Sequence, residues 1–159
     1  HNHEARETLG KFSDMLRYQL YEGNGTEIAI EKELAYLKNY VELQKLRRNG
    51  QDIIEFNVSN EVRNFSLPPL LFIPFIENAF KHVSNYTDKN NEVRIELTRS
   101  VQTVKLMVIN TTDTAAKETG GIGLKNVKRR LELLFPQRHT LDVKQTTDRF
   151  EVNLTLELA

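Results

Sequence analysis

Near the start of the chain the apolar residues Leu9, Phe12, Leu16 and Leu20 recur at spacings of 3, 4 and 4, which predicts an amphipathic helix over about 4–21. The run Glu22-Gly23-Asn24-Gly25-Thr26 ends it. A second stripe, Ile30, Leu34, Leu37 and Val41, predicts a helix carried to Arg48 and closed by Asn49-Gly50 as a left-handed cap. Residues 1–48 thus read as a helical hairpin. Its apolar faces are wider than one helix pair covers, so it is expected to pack on the following domain or to dimerise. After Gly50 the period drops from 3.6 to 2, with Ile54, Phe56 and Val58 alternating with polar residues as in a half-buried strand. A boundary near residue 50 therefore separates 1–48 from 49–159.

Pro68-Pro69 precedes a dense apolar segment, 70–83, too long for a strand and suited to a helix, with Pro74 near its start where a missing N–H matters least. Strands are predicted over 92–98 and 103–110. Residues 111–121 carry no apolar side chain larger than Ala and read as a polar, mobile loop. A helix over 122–134 follows, with Leu124, Val127, Leu131 and Leu134 on one face, ended by Phe135-Pro136. Strands over 139–146 and 149–158 flank a turn at Thr147-Asp148. Adjacent late strands with few crossovers favour an α/β two-layer sandwich, a mixed sheet with helices on one face, preceded by the helical hairpin.

Composition narrows the functional classes. The 159 residues suit one domain with a short appended element. With 22 Lys+Arg against 22 Asp+Glu the formal net charge is zero, so bulk electrostatics supply no hold on nucleic acid or an anionic membrane. The absence of Cys excludes disulfides, thiolate metal sites and a Cys nucleophile. The chain holds no apolar run long enough to span a bilayer and opens His1-Asn2-His3, so it is expected to be an excised cytoplasmic fragment.

Two segments carry candidate chemistry. In the 70–83 helix Glu77, Asn78, Lys81 and His82 interrupt an otherwise apolar run, forming two i,i+4 pairs on neighbouring rows of one face. A Glu77–Lys81 helix pair worth about 0.2–0.5 kcal/mol would account for half of this pattern without any function. A glycine-rich stretch, Thr119-Gly120-Gly121-Ile122-Gly123-Leu124-Lys125-Asn126, runs straight into the next helix, where unpaired N–H groups suit a phosphate. Such a stretch also serves as a simple turn, and it lacks the Lys-Ser/Thr of a Walker loop and the placement of a dinucleotide-binding loop. Between 117 and 138 six positives (Lys117, Lys125, Lys128, Arg129, Arg130, Arg138) stand against Glu118 and Glu132. Lys125 and Arg130, nearest the glycines, are the candidates for phosphate contact; Lys128 and Arg129 fit a solvated face.

Taken together, Glu77-Asn78-Ala79-Phe80-Lys81-His82 resembles the N box of the GHKL ATPases, and 120–131 resembles their second glycine box. Glu132 to Pro136, with Leu16-Arg17-Tyr18 and 40–47, narrows the resemblance to sensor histidine kinases of the LytS/YehU type, over essentially the whole chain. The resemblance implies an ATP-binding catalytic domain in 49–159 and the last part of the dimerisation helices in 1–48, without the phosphoacceptor His. It implies Asn78 as the Mg²⁺ ligand and Glu77 as the residue that activates or orients the attacking imidazole. Lys81 and His82 match phosphate-side contacts; Gly121 and Gly123 match lid glycines, with Ile122, Leu124, Asn126 and Arg130 in the same nucleotide-binding stretch and 111–121 as the lid. The implied partners are ATP, a response-regulator receiver domain and a second copy of the chain. Neither nucleic acid nor, in these residues, a membrane is implied, and the location is the cytoplasmic side of a membrane-anchored bacterial sensor.

The family's adenine-binding Asp-x-Gly-x-Gly box is altered here to Asn110-Thr111-Thr112-Asp113, with Asn110 at the Asp position. Its amide oxygen still accepts a hydrogen bond but without charge assistance, so ATP affinity is expected to be modest. His1 and His3 lack the phosphoacceptor context, and His139 is expected to be a surface residue. Two other readings remain open: a GHKL nucleotide-binding module without kinase activity, and a non-enzymatic dimerising domain built on 1–48.

Overall fold

The computed structural model describes residues 1–22, 26–48, 50–113 and 122–159. The chain forms two compact units, His1–Gly50 with Arg63–Leu71, and Gln51–Val62 with Phe72–Ala159.

In the first unit α1 (Asn2–Arg17) runs into a π-helical turn, Tyr18–Glu22, and α2 spans Ile30–Arg47. Gly50 has φ +68°, the left-handed conformation expected of it beyond α2. The stripe read from the sequence is left exposed: Leu9 and Leu20 are 68% and 65% exposed, and the buried residues near this end are Met15 and Tyr18. Tyr18 stacks on Tyr36 with ring centroids 4.7 Å apart, the Gln19 amide donates to the Tyr36 hydroxyl at 2.7 Å, and Lys11 pairs with Glu42 at 2.9 Å. On α2 the expected face is buried through Ile30, Leu37 and Val41. A two-stranded antiparallel ribbon, absent from the sequence reading, joins β1 (Ile28–Ala29) to β3 (Ser66–Leu67). Two-residue strands carry no periodicity, so nothing in the pattern could announce them.

The second unit holds a five-stranded sheet in the order β2 (Ile53–Val58), β4 (Glu92–Ser100), β5 (Thr103–Thr111), β7 (Arg149–Glu157), β6 (His139–Gln145). β2 pairs parallel with β4, and every other pair is antiparallel, so the sheet is mixed. Val93, Ile95, Leu97, Val104, Leu106, Val108, Phe150, Val152, Leu154 and Leu156 are buried. The residues alternating with them on β4, Arg94 and Glu96, are exposed, and Arg94 pairs with Glu92 and lies 3.8 Å from Glu55. One face of the sheet is thus apolar and buried, while the other carries charged residues on β4.

α3 (Ile73–His82) and α4 (Ile122–Leu134) supply the apolar residues of this unit's helical layer, Phe75, Ile76, Ala79 and Phe80 from the first and Leu124, Val127 and Leu131 from the second. α3 begins three residues later than the apolar density indicated. Leu70 has φ +59°, outside the right-handed helical region, and Pro74 then sits in the helix's first turn as expected.

Candidate functional site

Helix α3 buries Phe75, Ile76, Ala79 and Phe80 and turns a polar edge outward: Glu77 and Lys81 are exposed, Asn78 and His82 half-buried. This follows from the helical period, since 77 and 81 share one row and 78 and 82 the next. The Glu77–Lys81 ion pair that would have explained the pattern does not form. Among the described residues the side chains of Glu77, Asn78, Lys81 and His82 make no hydrogen bond or ion pair, so this edge of α3 is available to a ligand.

Its electrostatics are tuned by the surrounding apolar atoms. Desolvation raises the Glu77 carboxyl above the ordinary 4.5. Desolvation, followed by the adjacent Lys81 charge, lowers His82 below 6.5, so the ring is neutral at pH 7. A titration of the His82 ring by NMR is expected to show a midpoint below 6.5, and Lys81→Ala should move it part of the way back up; an unmoved midpoint would remove Lys81 from the account.

The end of β5 is stitched to the chain that follows α3. The Ser84 N–H donates to the Thr111 carbonyl at 2.8 Å, and their hydroxyls lie 2.6 Å apart. The Glu92 N–H donates to the Thr111 hydroxyl at 2.9 Å. Asn91 accepts from the Ser84 hydroxyl and from the Tyr86 N–H, both at 2.7 Å. The Asn85 N–H donates to the Asp113 carboxylate at 3.0 Å, and the Tyr86 hydroxyl to the Thr112 carbonyl at 2.7 Å. Sequence reasoning missed Ser84, Asn91 and Thr111 as a unit, because three polar residues scattered over 84–111 have no spacing signature.

This network corrects the expectation of a loop starting at residue 111. Thr111 closes β5, Thr112 is buried and donates its N–H to the Asp148 carbonyl at 2.9 Å, and Asp113 is held by Asn85. The remainder of the expected lid, 114–121, including Gly120 and Gly121, lies outside the described residues.

Asn110 is the residue this network frames. It is fully buried, its amide N–H donates to the Thr111 carbonyl at 3.0 Å, and among the described residues no donor reaches its Oδ1. A buried acceptor without a partner costs about 1–3 kcal/mol, which makes the Asn110 Oδ1 a candidate acceptor for a ligand's N–H.

α4 opens at Ile122-Gly123. Leu124 is buried with Val127, Leu131 and Phe135, so its side chain belongs to the core and any part it takes in binding is through its backbone. Lys125 and Asn126 are exposed, as are Lys128 and Arg129, while Arg130 is half-buried and engaged by another group. His139 is not a plain surface residue: its Nδ1 lies 2.7 Å from the Phe135 carbonyl, which can only accept, so the ring N–H donates and closes the end of α4.

The described residues contain no group of three or more His, Asp or Glu side chains able to hold a metal ion. Asn78 fits a different arrangement. Mg²⁺ takes hard oxygen ligands and commonly keeps only one or two from protein, the rest coming from water and substrate phosphates, and the Asn78 amide oxygen is of that hard type. No helix among the described residues is long and apolar enough to cross a membrane.

The family model described as histidine kinase matches residues 1–52. The sensor histidine kinase/phosphatase LytS of Staphylococcus aureus strain MRSA252 is 26% identical over 91% of this chain, and that of strain Mu50 25%. The chain spans about a quarter (27%) of the length of these relatives. Among solved structures, the histidine kinase domain of an Erythrobacter litoralis blue-light activated kinase superposes with a TM-score of 0.62 at 17% identity, covering 95% of this chain and 75% of that one. The histidine kinase ThkA, in complex with the response regulator TrrA, gives 0.57 at 12% identity, covering 97% and 49%. The catalytic domain of ThkA alone gives 0.53 at 11% identity, covering 83% of this chain and 94% of that one. In sequence, over nearly its whole length, the chain is similar to LytS sensor histidine kinase/phosphatase, and its fold is that of histidine kinase catalytic domains.

Proposed function

We propose that residues 49–159 bind ATP with Mg²⁺ and form the catalytic domain of a two-component histidine kinase. In this reading the γ-phosphoryl group passes to a His outside these residues and then to an Asp of a response-regulator receiver domain. The observation that carries the proposal is the pairing, in one compact unit, of a polar edge on α3 and the Oδ1 of Asn110 at the end of β5, both without hydrogen-bond partners among the described residues. The first supplies hard oxygen and positive charge for a triphosphate, the second an acceptor for the adenine amino group.

Each residue then has a chemical part. Asn78 holds Mg²⁺ through its amide oxygen; when bound, the ion neutralises phosphate charge. Lys81 offers three N–H donors to phosphate oxygens, and the neutral His82 offers one without adding charge where Mg²⁺ sits. Gly121 and Gly123, with Lys125, Asn126 and Arg130, complete the phosphate side from the start of α4, whose N-terminal amides favour an anion. Glu77 orients the attacking imidazole and takes its proton. The α1 stripe of Leu9, Phe12, Leu16 and Leu20, exposed on residues 1–48, is the surface through which two copies associate, and the whole lies on the cytoplasmic side of a membrane-anchored sensor.

Thermal unfolding with and without Mg-ATP tests the reading: at 100-fold over Kd, binding to the folded state alone stabilises by about 2.7 kcal/mol. No shift with nucleotide would leave a dimerising domain as the function. Asn78→Ala is expected to keep the fold, since the side chain makes no hydrogen bond of its own among the described residues, and to abolish the Mg²⁺ dependence of ATP affinity measured by calorimetry. Equal Mg²⁺ dependence in both proteins would dismiss Asn78 as the ligand.

A further inference from the structure

Apolar contact holds α4 in its layer of the second unit but does not fix it along its own axis. Leu124, Val127 and Leu131 are buried, and burial of that kind is non-directional, so a helix held by it alone can slide or turn at little cost. Directional bonds are made at its C-terminal end. The Phe135 N–H continues the helix by donating to the Leu131 carbonyl at 2.8 Å. The Phe135 carbonyl then accepts twice, from the Arg138 N–H at 3.1 Å and from the His139 Nδ1–H at 2.7 Å, which uses both of its lone pairs. The other ring nitrogen, Nε2, lies 3.9 Å from the exposed Glu132 carboxylate, too far for a hydrogen bond. The bond to Phe135 is therefore the one that orients the ring, whose side chain is only 13% exposed.

The joint on which His139 stands is itself fixed to the sheet. Pro136 has a restricted φ, and Gln137 sits at φ +57°, a left-handed conformation uncommon for a residue with a side chain. The Arg138 guanidinium lies over the Phe135 ring, 5.4 Å from its centroid, and donates to the Glu157 carbonyl at 3.3 Å. The Glu157 N–H in turn donates to the Arg138 carbonyl at 2.9 Å, and His139 opens β6 opposite Leu156 of β7. His139 thus belongs to the sheet by its backbone and to the helix by its ring. α4 is 13 residues long, a stiff rod of about 20 Å, so a displacement at Phe135 reappears at Gly123.

We propose that His139 is a positioning residue: its Nδ1–H bond to the Phe135 carbonyl sets where α4 lies along its axis, and so where the amides at the start of that helix meet phosphate. The consequence for phosphate rests on the nucleotide-binding reading; the hold on α4 does not.

Amide hydrogen exchange on the 159-residue chain without nucleotide tests the hold. His139→Ala should lower protection of residues 127–134 by about tenfold, while Ile95, Leu106 and Leu154 in the sheet change less than about twofold. His139→Asn carries an amide N–H on Cγ, where Nδ1 stands, and should return 127–134 to within about threefold of the parent; His139→Gln carries it one bond farther out and should behave like Ala. If His139→Ala does not fold, the contrast between Asn and Gln decides. Nitrogen NMR of the neutral ring should find the proton on Nδ1. Calorimetry tests the consequence: Mg-ATP should bind about fivefold more weakly to His139→Gln than to the parent, and adenosine, which has no phosphate, within about twofold. Unchanged protection of α4, a fall shared equally by helix and sheet, rescue by Gln as complete as by Asn, or a proton on Nε2 would overturn the hold on α4. Equal weakening of Mg-ATP and adenosine would overturn the part played at the phosphate. The expected exchange pattern in a parent chain that binds no nucleotide would overturn the proposed function and leave the hold on α4 standing.

Discussion

Glu77→Gln, introduced into a protein that also carries the phosphoacceptor His, is expected to slow autophosphorylation by about 10²-fold or more while ATP affinity stays within a few fold. The substitution preserves shape and one oxygen acceptor but removes the proton-accepting carboxylate. Nothing in the fold depends on that group: it is exposed and makes no side-chain bond among the described residues. A rate loss in a folded variant therefore reports on chemistry. The raised carboxyl pKa gives a second readout. A base that protonates above its ordinary range loses activity as pH falls through that raised value, so the parent rate should decline in mildly acid solution where an unperturbed Glu would still be ionised. The Gln variant should lack this limb. An unchanged rate in the variant would exclude Glu77 from the reaction.

Asn110→Leu should weaken ATP binding by about 1–3 kcal/mol, because the adenine amino group would then be buried without an acceptor. Inosine triphosphate lacks that amino group and should lose much less, which separates a base contact from general disruption. Asn110→Asp is the informative companion. It supplies an ionised acceptor, so affinity for ATP should be retained or improved. It also deletes the N–H that bonds the Thr111 carbonyl and places a carboxylate where the residue is fully buried, so the free domain should unfold more easily than the parent. Opposite effects on stability and affinity are the expected signature. Equal weakening of ATP and inosine triphosphate by Asn110→Leu would assign position 110 to holding the end of β5, with Asp113 the next residue to test for adenine recognition.

Much of the molecule was legible from periodicity because burial is strongly one-sided. α3 announces itself by an apolar run broken at 77, 78, 81 and 82, and β7 by the alternation of Phe150, Val152, Leu154 and Leu156, all buried. The α1 stripe was equally regular, yet Leu9 and Leu20 are exposed in this chain. Periodicity reports that a face is apolar and says nothing of what covers it.

What the sequence by itself determined, then, are the longer elements, the mixed sheet with helices on one face, and the choice of candidate residues on α3 and β5. These follow from local pattern and from residue chemistry that does not depend on neighbours. Tertiary structure alone decided the rest. It showed that Glu77 and Lys81 do not pair, that Asn110 keeps one amide atom bonded and the other without a donor among the described residues, and that Ser84, Asn91 and Thr111 tie the end of β5 to the chain leaving α3. It also revealed that Arg63–Leu71 belongs to the first unit, with the buried Glu33 accepting the Leu70 N–H. Each of these is a pairing of residues far apart in the chain or a choice between bonded and unbonded atoms. Such pairings depend on how close the fold brings two groups and how much water it leaves them, quantities that no spacing along a single sequence encodes.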